Sequence, residues 1–288
     1  DGVADMASRE LKSHLDKGRP LTAHRVSCVL KNADDAANLT WLRDQNLTRV
    51  EIRDVRAQFS RDELTLLRDF DPEKGEAKTA LSIPTDKDPR PARLADLTGD
   101  GIPELVFPTF RSNKVWAIEY MGAEQTPRLR ELASFKEGWP RHVIPLDLNQ
   151  DGKTDLLTPM SVQERIAVLL NDGQGHFTEG PAMAYPGRVG VHTLAAGQDK
   201  GGRYLLAGGS RALVLYRERK GQPGEFENVL LPVLGWPNRV ELADVDGDSW
   251  LDAVVASQGP LESQVIYGPL WDIFGQLSVN SPDNTKRD

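Results

Sequence analysis

Three acidic loops of one design recur along this chain, and their spacing limits the fold more than any other feature. Asp147-Leu-Asn-Gln-Asp-Gly-Lys-Thr-Asp155 places side-chain oxygens at Asp147, Asn149, Asp151 and Asp155, with Gly152 where the chain must turn sharply. These are positions 1, 3, 5 and 9 of a Ca²⁺-binding loop, and the backbone carbonyl of Lys153 falls at position 7. Ca²⁺ is a hard ion that takes six to eight oxygens, which alternating ligands on a tightly wound loop can supply. Mg²⁺ fits less well, because it keeps its waters and a stricter octahedron. An EF-hand would need a glutamate at position 12 and a helix on either side; position 12 is Thr158, and the flanks are short apolar runs. The loop is therefore expected to join two strands.

The same pattern appears at Asp96, Thr98, Asp100 and Glu104 with the carbonyl of Ile102, and at Asp244, Asp246, Asp248 and Asp252 with the carbonyl of Trp250. The first ligands are 51 and 97 residues apart, so one copy is missing midway. A worn copy fits the gap. Aligning Arg203-Tyr-Leu-Leu-Ala with Asp155-Leu-Leu-Thr-Pro puts Ala195, Gly197, Asp199 and Arg203 on the four side-chain positions, so most of the oxygens are gone and Arg203 stands where the last carboxylate was. Ser249 replaces the turn glycine of the third loop, at a cost of about 1 kcal/mol if that residue is left-handed.

A self-similar period near fifty residues with short strands in each unit marks a propeller assembled blade by blade. The fold class expected is all-β, a β-propeller of four-stranded antiparallel blades. On these loops the chain resembles the FG-GAP/VCBS-type repeats of integrin-α-like propellers, in which such acidic loops join the first and second strands of a blade. The resemblance covers about 90–280 clearly and 40–90 more weakly. A literal Phe-Gly…Gly-Ala-Pro is missing, leaving relics at Gly175-His-Phe177, Gly224-Glu-Phe226 and Phe274-Gly275. It implies up to three bound Ca²⁺ and an extracytoplasmic recognition, adhesion or scaffold module without chemistry of its own. The alternative it leaves open is a calcium-dependent enzyme of the polysaccharide-lyase type, acting on acidic glycans through an arginine and a histidine near the axis. A structural repeat region within a larger secreted protein is a third reading.

Residues 1–20 read as a helical or linker segment and 21–288 as propeller, with a divergent blade at 21–90 and regular blades at about 91–142, 143–190, 191–239 and 240–282. Five units suit a five-bladed ring or part of a larger one. Each regular unit carries a buried second strand (Leu105-Val-Phe, Leu156-Leu, Leu205-Leu-Ala, Ala253-Val-Val-Ala) and a third strand. Trp116, Ile118, Tyr216 and Tyr267 lie on third strands and are expected in the core between blades.

The formal charge of −8 is smaller than the ten carboxylates of the three loops, so the acidity belongs mostly to those loops. Three bound Ca²⁺ would bring the formal charge to about −2. Nothing here favours nucleic acid, which wants a basic surface, and no run approaches the roughly 18 apolar residues of a membrane span. The lone Cys28 cannot form an internal disulfide.

The five histidines form no motif at metal-ligand spacing, and no nucleophile elbow or zinc-protease motif is present. They read as surface or strand residues, with His142 and His192 singled out for their position near the start of a first strand. A second pattern stands upstream of the loops. Seven residues before each first ligand is a proline (Pro89, Pro140, Pro237), and Trp139, Trp236 and, in the worn unit, Tyr185 accompany this turn. An arginine follows every time: Arg90, Arg141, Arg188 and Arg239. Proline fixes the approach to the innermost strand, so these arginines should enter at the end away from the acidic loops. With Trp139, Tyr185, Trp236, His142 and His192 they would surround the channel mouth as a site for an anionic partner, an acidic glycan or an acidic protein segment. The competing account is that these are surface arginines paired with nearby acids.

Overall fold

The computed structural model describes residues 55–59, 63–71, 76–119, 127–187, 190–210, 212–231, 233, 235–258 and 263–279. The expected helical or linker segment at 1–20, the part of the divergent blade before residue 55 and Arg188 lie outside them. Nineteen strands and one helix are described, grouped in five antiparallel sheets. The first sheet pairs β1 (Val55–Phe59), β2 (Glu63–Asp71) and β3 (Glu76–Pro84) in order.

Four sheets follow as successive propeller blades. The first holds β4 (Arg93–Ala95), β5 (Glu104–Thr109), β6 (Lys114–Glu119) and β7 (Arg128–Ser134). The second holds β8 (Ile144–Leu146), β9 (Asp155–Pro159), β10 (Arg165–Asn171) and β11 (Phe177–Glu179), with β12 (Met183–Ala184) also on β10. The third runs β13 (Val191–Asp199), β14 (Gly202–Gly209), β15 (Ala212–Glu218) and β16 (Phe226–Leu231). The fourth has β17 (Trp236–Ala243), β18 (Asp252–Gln258) and β19 (Gln264–Ile266), followed by helix α1 (Leu270–Val279). Apart from β12, neighbours in sequence within each blade are neighbours in the sheet, and the first strands lie side by side, β4 against β8, β8 against β13 and β13 against β17.

Alternation explains why these sheets stack face to face. Successive strand residues point to opposite faces, and here both faces are apolar. In the second blade Leu156, Ala167 and Leu169 pack against the first blade's Val106, Val115 and Ala117, while Leu157, Ile166 and Val168 pack against Leu194, Leu205 and Val214 of the third. The third blade repeats this, turning Val214 and Tyr216 one way and Leu213 and Leu215 towards Val240 and Val255 of the fourth.

The last unit departs from expectation. Phe274-Gly275, expected as a relic of the Phe-Gly…Gly-Ala-Pro motif, lies within α1, whose Leu270 and Phe274 close the outer side of the third and fourth blades' shared core. The segment Leu270-Trp-Asp-Ile-Phe puts apolar residues at i, i+3 and i+4, a helical spacing. Tyr267 is likewise not core: it follows the short β19 and is 56% exposed, whereas Ile118 and Tyr216 are buried as expected. Trp116 is half-buried, its indole N–H donating to Thr109 Oγ1.

Candidate functional site

All three acidic loops connect the first and second strands of a blade, β4 to β5, β8 to β9 and β17 to β18. Their backbones agree residue by residue. The fourth position is left-handed in each (Gly99, Gln150, Gly247), and so is the sixth (Gly101, Gly152, Ser249, the last at φ 71°). Ser249 therefore adopts the conformation that glycine serves elsewhere. The first aspartate organises the turn: Asp96 accepts the N–H groups of Gly99 and Gly101, Asp147 those of Asp151 and Gly152, and Asp244 those of Gly247 and Ser249. The ninth-position carboxylates are buried and bind backbone. Asp155 accepts from Leu148 and Asn171, Asp252 from Val245 and Gly268, and Glu104 from Leu97.

The loops differ in how their oxygens meet. One oxygen from each of Asp244, Asp246 and Asp252 lies within 4.8 Å of the others, a spacing that one ion about 2.4 Å from each oxygen could bridge. In the second loop, the closest match in sequence, Lys153 Nζ sits 3.3 Å from Asp151 Oδ2 and Asn149 donates to the same carboxylate. Burial raises Asp155 and Asp252 above the usual carboxylate range, and the neighbouring loop aspartates add to the rise. Such crowding is relieved by a cation or a proton.

The worn copy has become a hairpin. β13 runs extended through Ala195 and Gly197 to Asp199, and only Lys200 and Gly201 separate it from β14. Arg203 does not fill its own loop. It crosses to the preceding blade, donating to the carbonyls of Asp147 and Leu148 and pairing with Glu218 at 2.8 Å, both side chains about one-tenth exposed. Asn171 makes the same kind of crossing to the Leu97 carbonyl, and Asp199 accepts from Leu251 N–H. Each acidic loop is thus held by a polar side chain of the adjacent blade.

The arginines enter at the opposite end. Pro89 bridges Thr109, Pro140 bridges Met160, and Pro237 pairs with Ser257, all at the far end of the second strands from the acidic loops. Arg90 is tied to Asp88 at 2.7 Å and Arg239 to Glu241 at 2.6 Å, as the competing account anticipated for these two. For Arg141 no carboxylate lies within ion-pair distance among the described residues; it packs over Phe110, 5.4 Å from the ring centroid, with Arg90 at 4.5 Å from the same centroid. Trp139 leans on Phe110 at 5.2 Å and is 44% exposed; Trp236 is exposed too. Tyr185 is not part of this face. It is buried between the second and third blades, its hydroxyl donating to the Ala212 carbonyl.

At the innermost strands a cluster forms that sequence reasoning only half found. Arg93 Nη2 lies 3.2 Å and Arg239 Nη1 2.8 Å from His142 Nε2. Guanidinium can only donate, so Nε2 accepts from both and the imidazole is neutral with its proton on Nδ1. Burial, then Arg239 and Arg93, push the His142 pKa well below the ordinary histidine value. Arg93 follows no proline, so the proline–arginine pattern missed it; the available signal was an arginine opening an otherwise apolar first strand. Half-buried His192 is also lowered, by burial and by Arg141.

This fixes a pH dependence. The unfolded chain protonates His142 near 6.5 while the folded protein keeps it neutral to far lower pH. The unfolded state then binds the extra proton, so folding stability should be whole above 6.5 and fall by up to about 1.4 kcal/mol per pH unit below it. Urea titrations of wild type and His142→Gln between neutrality and mild acid check this: the variant's slope should be shallower, and identical slopes would contradict it.

No family model matches this chain, and no curated protein is similar to it. Among solved structures it is similar to a protein from Lactobacillus plantarum (13% identity, 74% of this chain and 67% of that one, TM-score 0.48). It is also similar to the periplasmic gluconolactonase of Pseudomonas aeruginosa (15%, 74% and 66%, TM-score 0.44). A lectin of Agrocybe aegerita that recognises non-reducing terminal N-acetylglucosamine matches at 17% identity over 72% and 60% of the chains, with a TM-score of 0.43. Resemblances this distant transfer neither ligand nor activity.

Proposed function

We propose that this chain is a calcium-braced recognition propeller of the FG-GAP/VCBS type that works outside the cytoplasm and holds an acidic glycan on the face opposite its acidic loops. The observation that carries the reading is an Arg141 with no carboxylate within ion-pair distance among the described residues, next to the Arg93 and Arg239 guanidiniums that converge on a neutral His142. Guanidinium forks bind carboxylate or sulfate bidentately; Arg239 is held by Glu241, whereas Arg141 keeps its buried Nε without a hydrogen-bond partner. The loops support the calcium element of the reading through their shared backbone and through the converging oxygens at Asp244, Asp246 and Asp252. Loops of this kind fill where Ca²⁺ is abundant, which favours an extracytoplasmic setting.

Titration calorimetry with polygalacturonate tests it. Wild type should bind, and Arg141→Ala combined with Arg239→Ala should abolish binding while leaving calcium-dependent melting intact. An unchanged affinity would refute the reading.

One observation favours the lyase alternative. A histidine within hydrogen-bond reach of arginines is what eliminative cleavage of a uronate requires of its base and its carboxylate clamp. Against it, the Nε2 lone pair already accepts two guanidinium hydrogen bonds and His142 is 3% exposed. Growth of unsaturated-uronate absorbance during incubation with the polymer would decide for the enzyme.

A further inference from the structure

We infer that the unit recognised on this face is a single uronate residue, its carboxylate on the Arg141 fork and its sugar ring against Trp139; this rests on the recognition reading above. Phe110 organises the subsite. It stands in the turn between β5 and β6 of the first blade, while Trp139 and Arg141 stand on the approach to β8 of the second. The Arg141 guanidinium lies 5.4 Å and the Trp139 ring 5.2 Å from the Phe110 centroid. A cation and an indole thus meet on one ring.

That seat leaves the charge of Arg141 available. A carboxylate would position a guanidinium and neutralise it; a ring face positions it by cation–π attraction and leaves its hydrogen-bonding edge free. Arg141 Nε is buried without a hydrogen-bond partner, so a ligand carboxylate reaches this side chain end-on, through the two terminal nitrogens. The acids nearby are engaged elsewhere. Asp88 takes Arg90 at 2.7 Å and Arg111 at 3.7 Å, and Glu137 accepts from Gln163 at 3.4 Å. Arg90 packs on the same ring at 4.5 Å, so positive charge is in excess around Phe110. Burial, then Arg90, lower the Arg141 pKa, as befits a cation short of a counter-charge.

Trp139 is exposed yet fixed. Its backbone is pinned on both sides, the N–H donating to Asn113 Oδ1 at 2.9 Å and the carbonyl accepting from Ser161 N–H at 3.2 Å. A large apolar ring held at the surface in this way gives up little freedom when a ligand arrives, and its face can stack on the C–H face of a sugar. A uronate carries its carboxylate directly on the ring and so offers both contacts from one rigid body. An aspartate side chain offers the carboxylate alone, which favours a saccharide over an acidic peptide.

Calorimetry and indole fluorescence with galacturonate, galactose, acetate and an Asp-Asp dipeptide separate the outcomes. Galacturonate should bind wild type about tenfold or more tightly than galactose, which lacks the carboxylate, or acetate, which lacks the ring. Trp139→Ala should weaken galacturonate by about tenfold or more. Trp139→Phe, which keeps an apolar ring, should fall between and guards against a folding artefact. Bound galacturonate should shift the indole emission of wild type, and the shift should vanish in Trp139→Phe, a readout that a merely structural Trp139 would not move. Acetate bound as tightly as galacturonate, or Trp139→Ala at wild-type affinity, would overturn the uronate subsite and leave the recognition reading standing. Polygalacturonate bound where galacturonate is not would overturn recognition of a single unit. A dipeptide that binds as tightly as galacturonate overturns the saccharide assignment. If no anion binds wild type, the recognition reading is refuted, and the uronate subsite with it.

Discussion

Asp155→Ala is expected to destabilise the protein by about 3–5 kcal/mol, among the largest effects of any single substitution on the acidic-loop face. The Asp155 side chain is fully buried, and its two oxygens serve two backbone donors, Leu148 N–H in the loop and Asn171 N–H at the end of the third strand. Alanine leaves both donors buried and unpaired, at about 1–3 kcal/mol each. It also cuts the tie that fixes where the acidic loop closes. Asp155→Asn keeps the shape and one acceptor oxygen, so it should cost clearly less. Measuring urea midpoints in excess chelator isolates the hydrogen bonds from any metal. A loss below about 1 kcal/mol for Asp155→Ala would mean that the loop re-forms without its anchor. Asp252→Ala should behave like Asp155→Ala because it too bridges two N–H groups, whereas Glu104, with one such bond to Leu97, should matter less.

Removing calcium is the second large effect expected. Without an ion, the third loop holds the carboxylates of Asp244, Asp246 and Asp252 close together, and burial already disfavours charge on Asp155, Asp252 and Glu104. An ion that binds only the folded loop adds RT ln(1 + [Ca²⁺]/Kd), about 2.7 kcal/mol per site at a hundredfold excess over Kd. A chelator should therefore lower the melting temperature and added Ca²⁺ restore it, with Asp248→Ala and Asp151→Ala each losing about one ion by calorimetric stoichiometry. The third loop should be the tightest, given its converged oxygens, and the second weaker while Lys153 competes for Asp151. A melting curve indifferent to both chelator and calcium would remove calcium from the account.

The propeller was legible because its determinants are local and repeated. The loop spacing marked the junction of first and second strands, and the Leu-Leu and Ala-Val-Val runs marked second strands buried on both faces. The left-handed turn at Ser249 followed from alignment with Gly101 and Gly152. What stayed hidden was set by neighbours distant in sequence. Arg203 looked like a charge standing in for the lost metal of its own loop because alignment cannot show that its guanidinium reaches carbonyls of the blade before it. Tyr185 looked like a surface aromatic because the proline beside it resembled the other turns; its burial depends on the gap between two sheets. Arg93 escaped notice because its role comes from His142, 49 residues further along the chain, and from Arg239, 97 residues beyond His142. Helix α1 shows the same limit: Phe274-Gly275 fitted the repeat's Phe-Gly motif by letters, while the spacing of Leu270, Ile273 and Phe274 obeyed a helix.

The account turns on where an acidic ligand sits, and a wild-type crystal soaked with digalacturonate measures that directly. Difference density is predicted on the face opposite the acidic loops, with a carboxylate on Arg141 beside Phe110 and Trp139. Density placed instead on the Asp96, Asp147 or Asp244 loops, or none on the arginine face at concentrations that saturate binding in solution, would contradict it.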